Sequence, residues 1–423
     1  MTDVQLDFAR RLRVYEEPQD THTDHSGTAG DFLELRVNSG KFDPRTKSIP
    51  LKTNEIRRGA RQKEVLGPLS CSLDFTADLA GHGLDLDGDV AVPTTANWAL
   101  ARIWKAILGG IYTETIPSAQ TVVVAGGSST ALWITNPHGS RFLRGGAVGA
   151  QTTAGYELRE ILSIDASDGT KDIITPKVAF SGTPTTGTPV RCCVTLYATQ
   201  RPVTSLQYIV ERQSGGAASL DRWNLRHMQG GLSFAFPWDD VIQWTSQQMG
   251  ASWTNMGSGT LADPGALAMH EPIVMAANEL LIYEAAASAQ ARVVCPFGAI
   301  SWDLGITWED QRGPGLTNQG IVSKVQTRTD PPISVKITEP LTDLSRFTAR
   351  DARTMYALAH QFGATVGASC LFVAPEGQLI APKTDEASGS LAGQSWTLAG
   401  REDSTLTTPL TDLDQTWFRA HFG

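Results

Sequence analysis

From Leu69 to Leu79 the chain switches between apolar and polar residues at every step. Leu69, Cys71, Leu73, Phe75, Ala77 and Leu79 fall on one side; Ser70, Ser72, Asp74, Thr76 and Asp78 fall on the other. Successive side chains of a strand point to opposite faces. The run therefore predicts one long strand with a dry face and a wet face. A charged segment, Asn54 to Gln62, precedes it and carries Arg57, Arg58 and Arg61. A polar loop follows. Leu100, Ile103, Trp104, Ile107 and Leu108 then recur at helical spacing, with Gly109-Gly110 as a stop. Long strand, loop, amphipathic helix and glycine describe a sheet with one helix laid on it.

A similar order returns later in the chain. Trp302, Leu304, Ile306 and Trp308 alternate with Ser301, Asp303, Gly305 and Thr307. A second strand is expected from Ile321 to Thr327, and a third with Ile333, Val335 and Ile337 on one face. A helix is expected from Thr348 to Phe362, striped by Ala352, Met355, Ala359 and Phe362 and ended by Gly363. The strand Ala368 to Ala374 follows, with a turn at Pro375-Glu376-Gly377. The expected fold class is mainly β with a few helices (α+β). It is built from duplicated units, each a sheet with a flanking helix.

At 423 residues the chain is long enough for two or three domains with cores of their own. Hydrophobic residues make up 41% and charged residues 19%, an ordinary globular balance. No apolar run approaches the roughly 20 residues that span a bilayer. The start, Met1 to Asp7, has no basic region followed by an apolar one, so no secretory signal is expected. The five cysteines, Cys71, Cys192, Cys193, Cys295 and Cys370, are read as reduced thiols of a protein made in a cytosol. Net charge is −9, which argues against a surface built to grip nucleic acid. It leaves room for a protein that nucleic acid passes without sticking, because phosphate affinity comes largely from lysine and arginine.

Five segments are expected. Residues 1–50 form a polar arm, with a short helix from Val4 to Tyr15. Residues 51–118 belong to the first unit. Residues 119–203 form an inserted all-β module, rich in Thr, Ser and Gly, with short strands near 121–124, 131–134, 156–162, 173–174 and 194–197. Residues 204–390 form the second unit, opening with strands near 204–212 and 232–238. Ser246 to Pro264 reads as a loop. Residues 391–423 supply one more strand, Ser395 to Ala399, and a tail ending in Trp417-Phe418-Arg419.

No stretch carries a catalytic constellation. Asp85-Leu86-Asp87-Gly88-Asp89 has its glycine fourth and Ala96 twelfth, which does not fit a calcium loop. His22-Thr23-Asp24-His25 lacks a second ligand cluster and reads as polar linker. Gly126-Gly127-Ser128 has no following lysine, and Gly257-Ser258-Gly259 lacks a strand-turn-helix setting. His138 and His360 have no evident acid partner. Most of the eleven tryptophans read as core. No cofactor and no metal are expected, and the chain is not read as an enzyme.

Taken in order, Asn54-Glu55-Ile56-Arg57-Arg58, the Leu69 to Leu79 strand, Leu108-Gly109-Gly110, Ile300 to Gly305, Pro332 to Lys336 and Leu371 to Leu379 resemble the tail tube proteins of long-tailed bacteriophages. The resemblance covers about Asn54 to Gly110 and Ser205 to Pro382; the central module is no part of it. It implies a β-sandwich or barrel subunit that forms rings stacked into a hollow tube, without catalytic residues. On that reading Asp74, Asp78 and Asp303 face the lumen. Arg57, Arg58, Arg61, Asp85 and Asp87 sit at contacts between subunits or rings, helped by the arm. Expected partners are other copies, as trimeric pseudo-hexameric rings with a hexamer as the alternative. Tail terminator, tape measure and distal tail proteins join them. DNA passes through unbound, no membrane is involved, and the location is the virion tail. The rival reading is a carbohydrate-binding or adhesive β protein of the virion exterior, which would need exposed aromatics on the central module.

Overall fold

The computed structural model describes residues 8–18, 32–50, 64–81, 98–113, 121–199, 204–213, 220–238, 240–250, 252–259, 272–275, 278–286, 288–312, 321–340, 345–384, 393–404, 413 and 416–423. In chain order, β1 (Phe8–Pro18), β2 (Leu33–Arg36), β3 (Ser39–Pro50) and β4 (Glu64–Asp78) lead to α1 (Ala99–Leu108), which runs directly into β5 (Gly109–Thr113). A module follows, made of β6 (Leu132–Thr135), β7 (Ala147–Thr152), β8 (Gly155–Asp165), β9 (Lys171–Pro176) and β10 (Arg191–Cys192). Next come β11 (Val194–Ala198), β12 (Thr204–Gln213), β13 (Leu220–Ala235), β14 (Gln243–Gly250), β15 (Ser252–Gly259) and β16 (Asn278–Glu284). The remainder holds β17 (Ala299–Asp303), β18 (Ile306–Arg312), β19 (Ile321–Arg328), β20 (Ile333–Pro340), α2 (Ser345–Ala352), β21 (Met355–Thr365), β22 (Ala368–Lys383), β23 (Gly393–Arg401) and β24 (Arg419–Phe422).

Two large curled sheets result. The first runs β2-β1-β12-β13-β14-β4-β3, with β15 continuing the line of β14 along β13. The second runs β17-β20-β23-β22-β24-β11-β5, with β21 and then β16 attached to β22. β18 and β19 make a separate hairpin.

The alternating run does what its pattern predicts. Cys71, Leu73, Phe75, Ala77 and Leu79 are buried, and the polar residues between them are half-buried. Helix α1 is buried on almost every side, Arg102 included. A helix apolar all round belongs inside a core, and α1 lies between the sheets. Its Trp104 ring packs on Phe234 and Trp244 of the first sheet, at 5.3 and 5.8 Å, and on Phe372 and Phe422 of the second, at 6.1 and 5.6 Å. Gly109 ends the helix in the left-handed region, φ 113°, where its amide donates to the Lys105 carbonyl.

The module emerges from the paired strands β5 and β11 and has its own sheet, ordered β10-β7-β8-β9-β6. Val148, Ile161, Ile174 and Phe180 form its core. Its other side packs on the second sheet, where Leu158 and Val178 meet Leu281, Ala359 and Leu371. Adjacent Cys192 and Cys193 point opposite ways, one into the module core and one into this junction.

Several expectations fail for identifiable reasons. Of the helix expected from Val4 to Tyr15, residues 8–15 lie in β1, paired on both sides, and residues 4–7 lie outside the described residues; Leu12 and Val14 are buried, with a half-buried Arg13 between them. Residues 8–18 and 33–50 thus belong to the first sheet. The helix expected from Thr348 to Phe362 is the eight-residue α2, which buries only Ala349, followed by β21. In β21, Leu358 and Phe362 face the main core while Ala357 and Ala359 face the module. A strand covered on both faces loses its period of two, so its apolar residues mimic a helical stripe. The turn expected at Pro375 to Gly377 lies inside β22. There the strand changes partner from β24, over 370–373, to β23, from 376, so the amide proline lacks falls between ladders. Of the loop expected from Ser246 to Pro264, residues 246–250 and 252–259 are strand, and 251 and 260–264 lie outside the described residues. The strand expected from Ser301 to Trp308 breaks at Gly305, φ 56°, which leaves Trp302 in β17 and Trp308 in β18.

Candidate functional site

The wet side of β4 is one row of a broader polar face. Register across β3, β4, β14 and β13 places Ser39, Thr76, Thr245 and Ser233 in line, then Lys41, Asp74, Gln247 and Gly231. Hydroxyl oxygens of Thr76 and Thr245 stand 3.0 Å apart, a cross-strand pair of the kind that stabilises a ladder. Asp78 accepts from Asn38 Nδ2 at 2.5 Å and lies opposite Gln243. Asp74 is flanked by Gln247 on one side and Lys41 on the other. Asp43 stands opposite Ser72 on the same side, so among the described side chains the face offers hydroxyls, amides, three carboxylates and one exposed ammonium. The lysine was invisible in sequence because residues 39–50 read as arm.

Asp303 is on the other sheet. It is exposed, stands opposite Ser334, and its Oδ1 accepts the Gly305 amide at 2.9 Å, closing the turn that breaks the strand. The three expected lumen residues thus divide between two sheets. Arg57, Arg58, Arg61, Asp85 and Asp87, the loop from Asp85 to Thr95, and His22 and His25 lie outside the described residues.

A second constellation, absent from the sequence reading, holds the module to the second sheet. Arg159 is buried and donates to Glu157 at 2.5 Å, Glu279 at 2.8 Å and Gln361 at 3.2 Å. Beside it Lys177 reaches Asp403 at 2.9 Å and Glu160 at 3.8 Å, and Arg419 donates to Glu160. Burial pushes the Glu157 carboxyl up. The Arg159 charge and hydrogen bonds from Ser181 and Thr152 outweigh it, and the group settles below the ordinary glutamate range. Such matched charges are held because each would be costly to bury alone. The hint in sequence was Glu157, Arg159 and Glu160 inside an apolar strand, without visible partners.

Glu339 is a third buried group, accepting from Arg346, Gln394 and Trp396 at 3.0, 2.8 and 2.8 Å and from the Cys295 thiol at 3.0 Å. Burial, then the Glu339 charge, push that thiol far up. His360 sits on β21, not on a helix, among Phe236, Phe297 and Phe362. Burial pushes its pKa down to about 3. Among the described residues no group of three or more His, Cys, Asp and Glu stands ready for a metal ion, and no helix is long and apolar enough to cross a membrane.

Family models and the curated proteins give no match to this chain.

Proposed function

We propose that this chain is a structural subunit of a bacteriophage tail tube, which assembles into rings that stack around a lumen for genome passage. One observation carries the reading: the polar face spread over β3, β4, β14 and β13, backed by a sealed apolar core. A lumen wall needs a hydrated face with few cations on a rigid support, so that phosphates slide past without ion pairing. Closing such sheets around a ring also removes their open edges. The long β3–β4 hairpin, reaching from Ser39–Pro50 to Glu64–Asp78, is the element best shaped to meet a neighbour. Two large curled sheets per chain favour three copies per ring, with six as the alternative. On this reading the location is the virion tail, and the partners are other copies and the proteins at the two ends of the tube.

An adhesive or carbohydrate-binding role would need open aromatic platforms on the module. There the Trp133 ring is covered by Lys171 Nζ, 3.2 Å from its centroid, so no observation favours that role. Imaging the concentrated, purified chain tests the proposal. Rings or tubes are expected, and a chain that stays monomeric contradicts it.

A further inference from the structure

Strand β24 fills a slot inside the second sheet. Residues 419–422 pair on one side with 194–197 of β11 and on the other with 370–373 of β22. Among the described strands, β5 and β11, which carry the module, join the rest of that sheet's ladder through β24. The strand's two faces carry different chemistry. Phe418, Ala420 and Phe422 turn into the main core. Phe422 packs 5.0 Å from Trp98 and 5.6 Å from Trp104, and Phe418 lies 5.3 Å from Phe372. Arg419 and His421 turn toward the module. Arg419 donates to Glu160, lies 3.8 Å from Asp403, and donates through Nε to the Leu413 carbonyl at 3.0 Å. His421 Nδ1 stands 2.8 Å from the Thr195 hydroxyl. Gly423 continues the ladder, bonding Ser369 and Gly367 at 3.2 and 3.1 Å.

We infer that the slot between β11 and β22 is a peptide-binding site, and that its ligand is this chain's own segment 416–423, acting as a separable strand. Ladder bonds on both sides supply affinity for any extended peptide. Selection comes from two pockets: carboxylates of Glu160 and Asp403 for a cation, and Trp98 with Trp104 for an aromatic ring three residues later. Without the strand, β11 and β22 present two facing open edges, and Glu160 and Asp403 lose the Arg419 charge. Docking therefore fixes the module on the sheet. This inference is independent of the tube reading.

The test places a protease site between Thr408 and Pro409 in the full chain. After cutting, the fragment 409–423 is expected to stay with the body through size exclusion. It should exchange for an excess of the same peptide carrying a fluorophore. A peptide with Arg419→Ala and Phe422→Ala is expected to be taken up about a hundredfold more weakly. Equal uptake of both peptides, or no uptake of either, overturns the inference. So does a fragment that leaves while the melting of the body is unchanged, or aggregation that added peptide does not prevent.

Discussion

Lys177 and Asp403 lie 226 residues apart in the chain, and their Nζ and Oδ2 atoms meet at 2.9 Å between the module and the second sheet. The pair sits in a cluster with Glu160 and Arg419, so each charge is neutralised locally. Removing one member strands the others. Asp403→Ala is expected to lower stability by about 3–5 kcal/mol. Lys177→Met combined with Asp403→Leu should cost less than the single change, because no new unpaired charge is left. Urea unfolding of the three proteins checks this; an Asp403→Ala variant as stable as the parent would show that the cluster does not clamp the module.

Deletion of Met1 to Gly40 is expected to abolish folding rather than trim an arm. It removes β1 and β2, takes Leu12 and Val14 out of the core, and leaves β12 with an open edge. Circular dichroism and solubility of the truncated chain decide the matter. A soluble, cooperatively folded product would mean that β1 adds nothing to the first sheet.

Acid should loosen a core that neutral pH leaves intact. The folded pKa of His360 is about 3, below the ordinary 6.5, so the unfolded chain binds a proton that the folded chain refuses. Stability is full above about pH 6.5 and falls as pH drops toward 3. The lowered carboxyl of Glu157 adds to the loss at the acid end, since its contribution is present above the unfolded glutamate pKa and lost below it. His360→Phe is expected to flatten the decline between pH 6.5 and 4. Melting temperatures of both proteins across that range provide the comparison, and parallel curves would rule out His360 as the cause.

How legible the fold was in sequence depended on which faces were covered. β4 has one wet face and one dry face, and its alternation is plain from Leu69 to Leu79. α1 was legible because Gly109 stops it and its apolar residues keep helical spacing. β21 and β22 lie between the core and the module, so Tyr156, Leu158 and Val178 cover the side that would otherwise be polar. That cover cannot be seen in Met355 to Thr365 alone. β1 was hidden by its arginines, two of which flank Leu12. Of the candidate site, Asp74 and Asp78 were placed on one wet face from pattern alone. Lys41, and the separation of Asp303 onto the second sheet, needed the pairing of distant strands.

If the polar face lines a bore, its charge governs friction. Asp74→Lys with Asp78→Lys, added to Lys41, would turn a phosphate-repelling wall into a phosphate-binding one. Assembled tubes carrying both changes are expected to retain double-stranded DNA at low salt and release it as salt rises. Tubes of the parent chain should retain none. Equal retention by the two would place these residues away from the bore.

The most direct measurement is a cryo-electron microscopy map of the assembled chain, resolved well enough to trace strands. The account predicts stacked rings of three copies, with Asp74, Thr76, Asp78, Thr245 and Gln247 turned to the central channel. A channel lined mainly by lysine and arginine, or an assembly in which the face of β4 and β14 points outward, would contradict it.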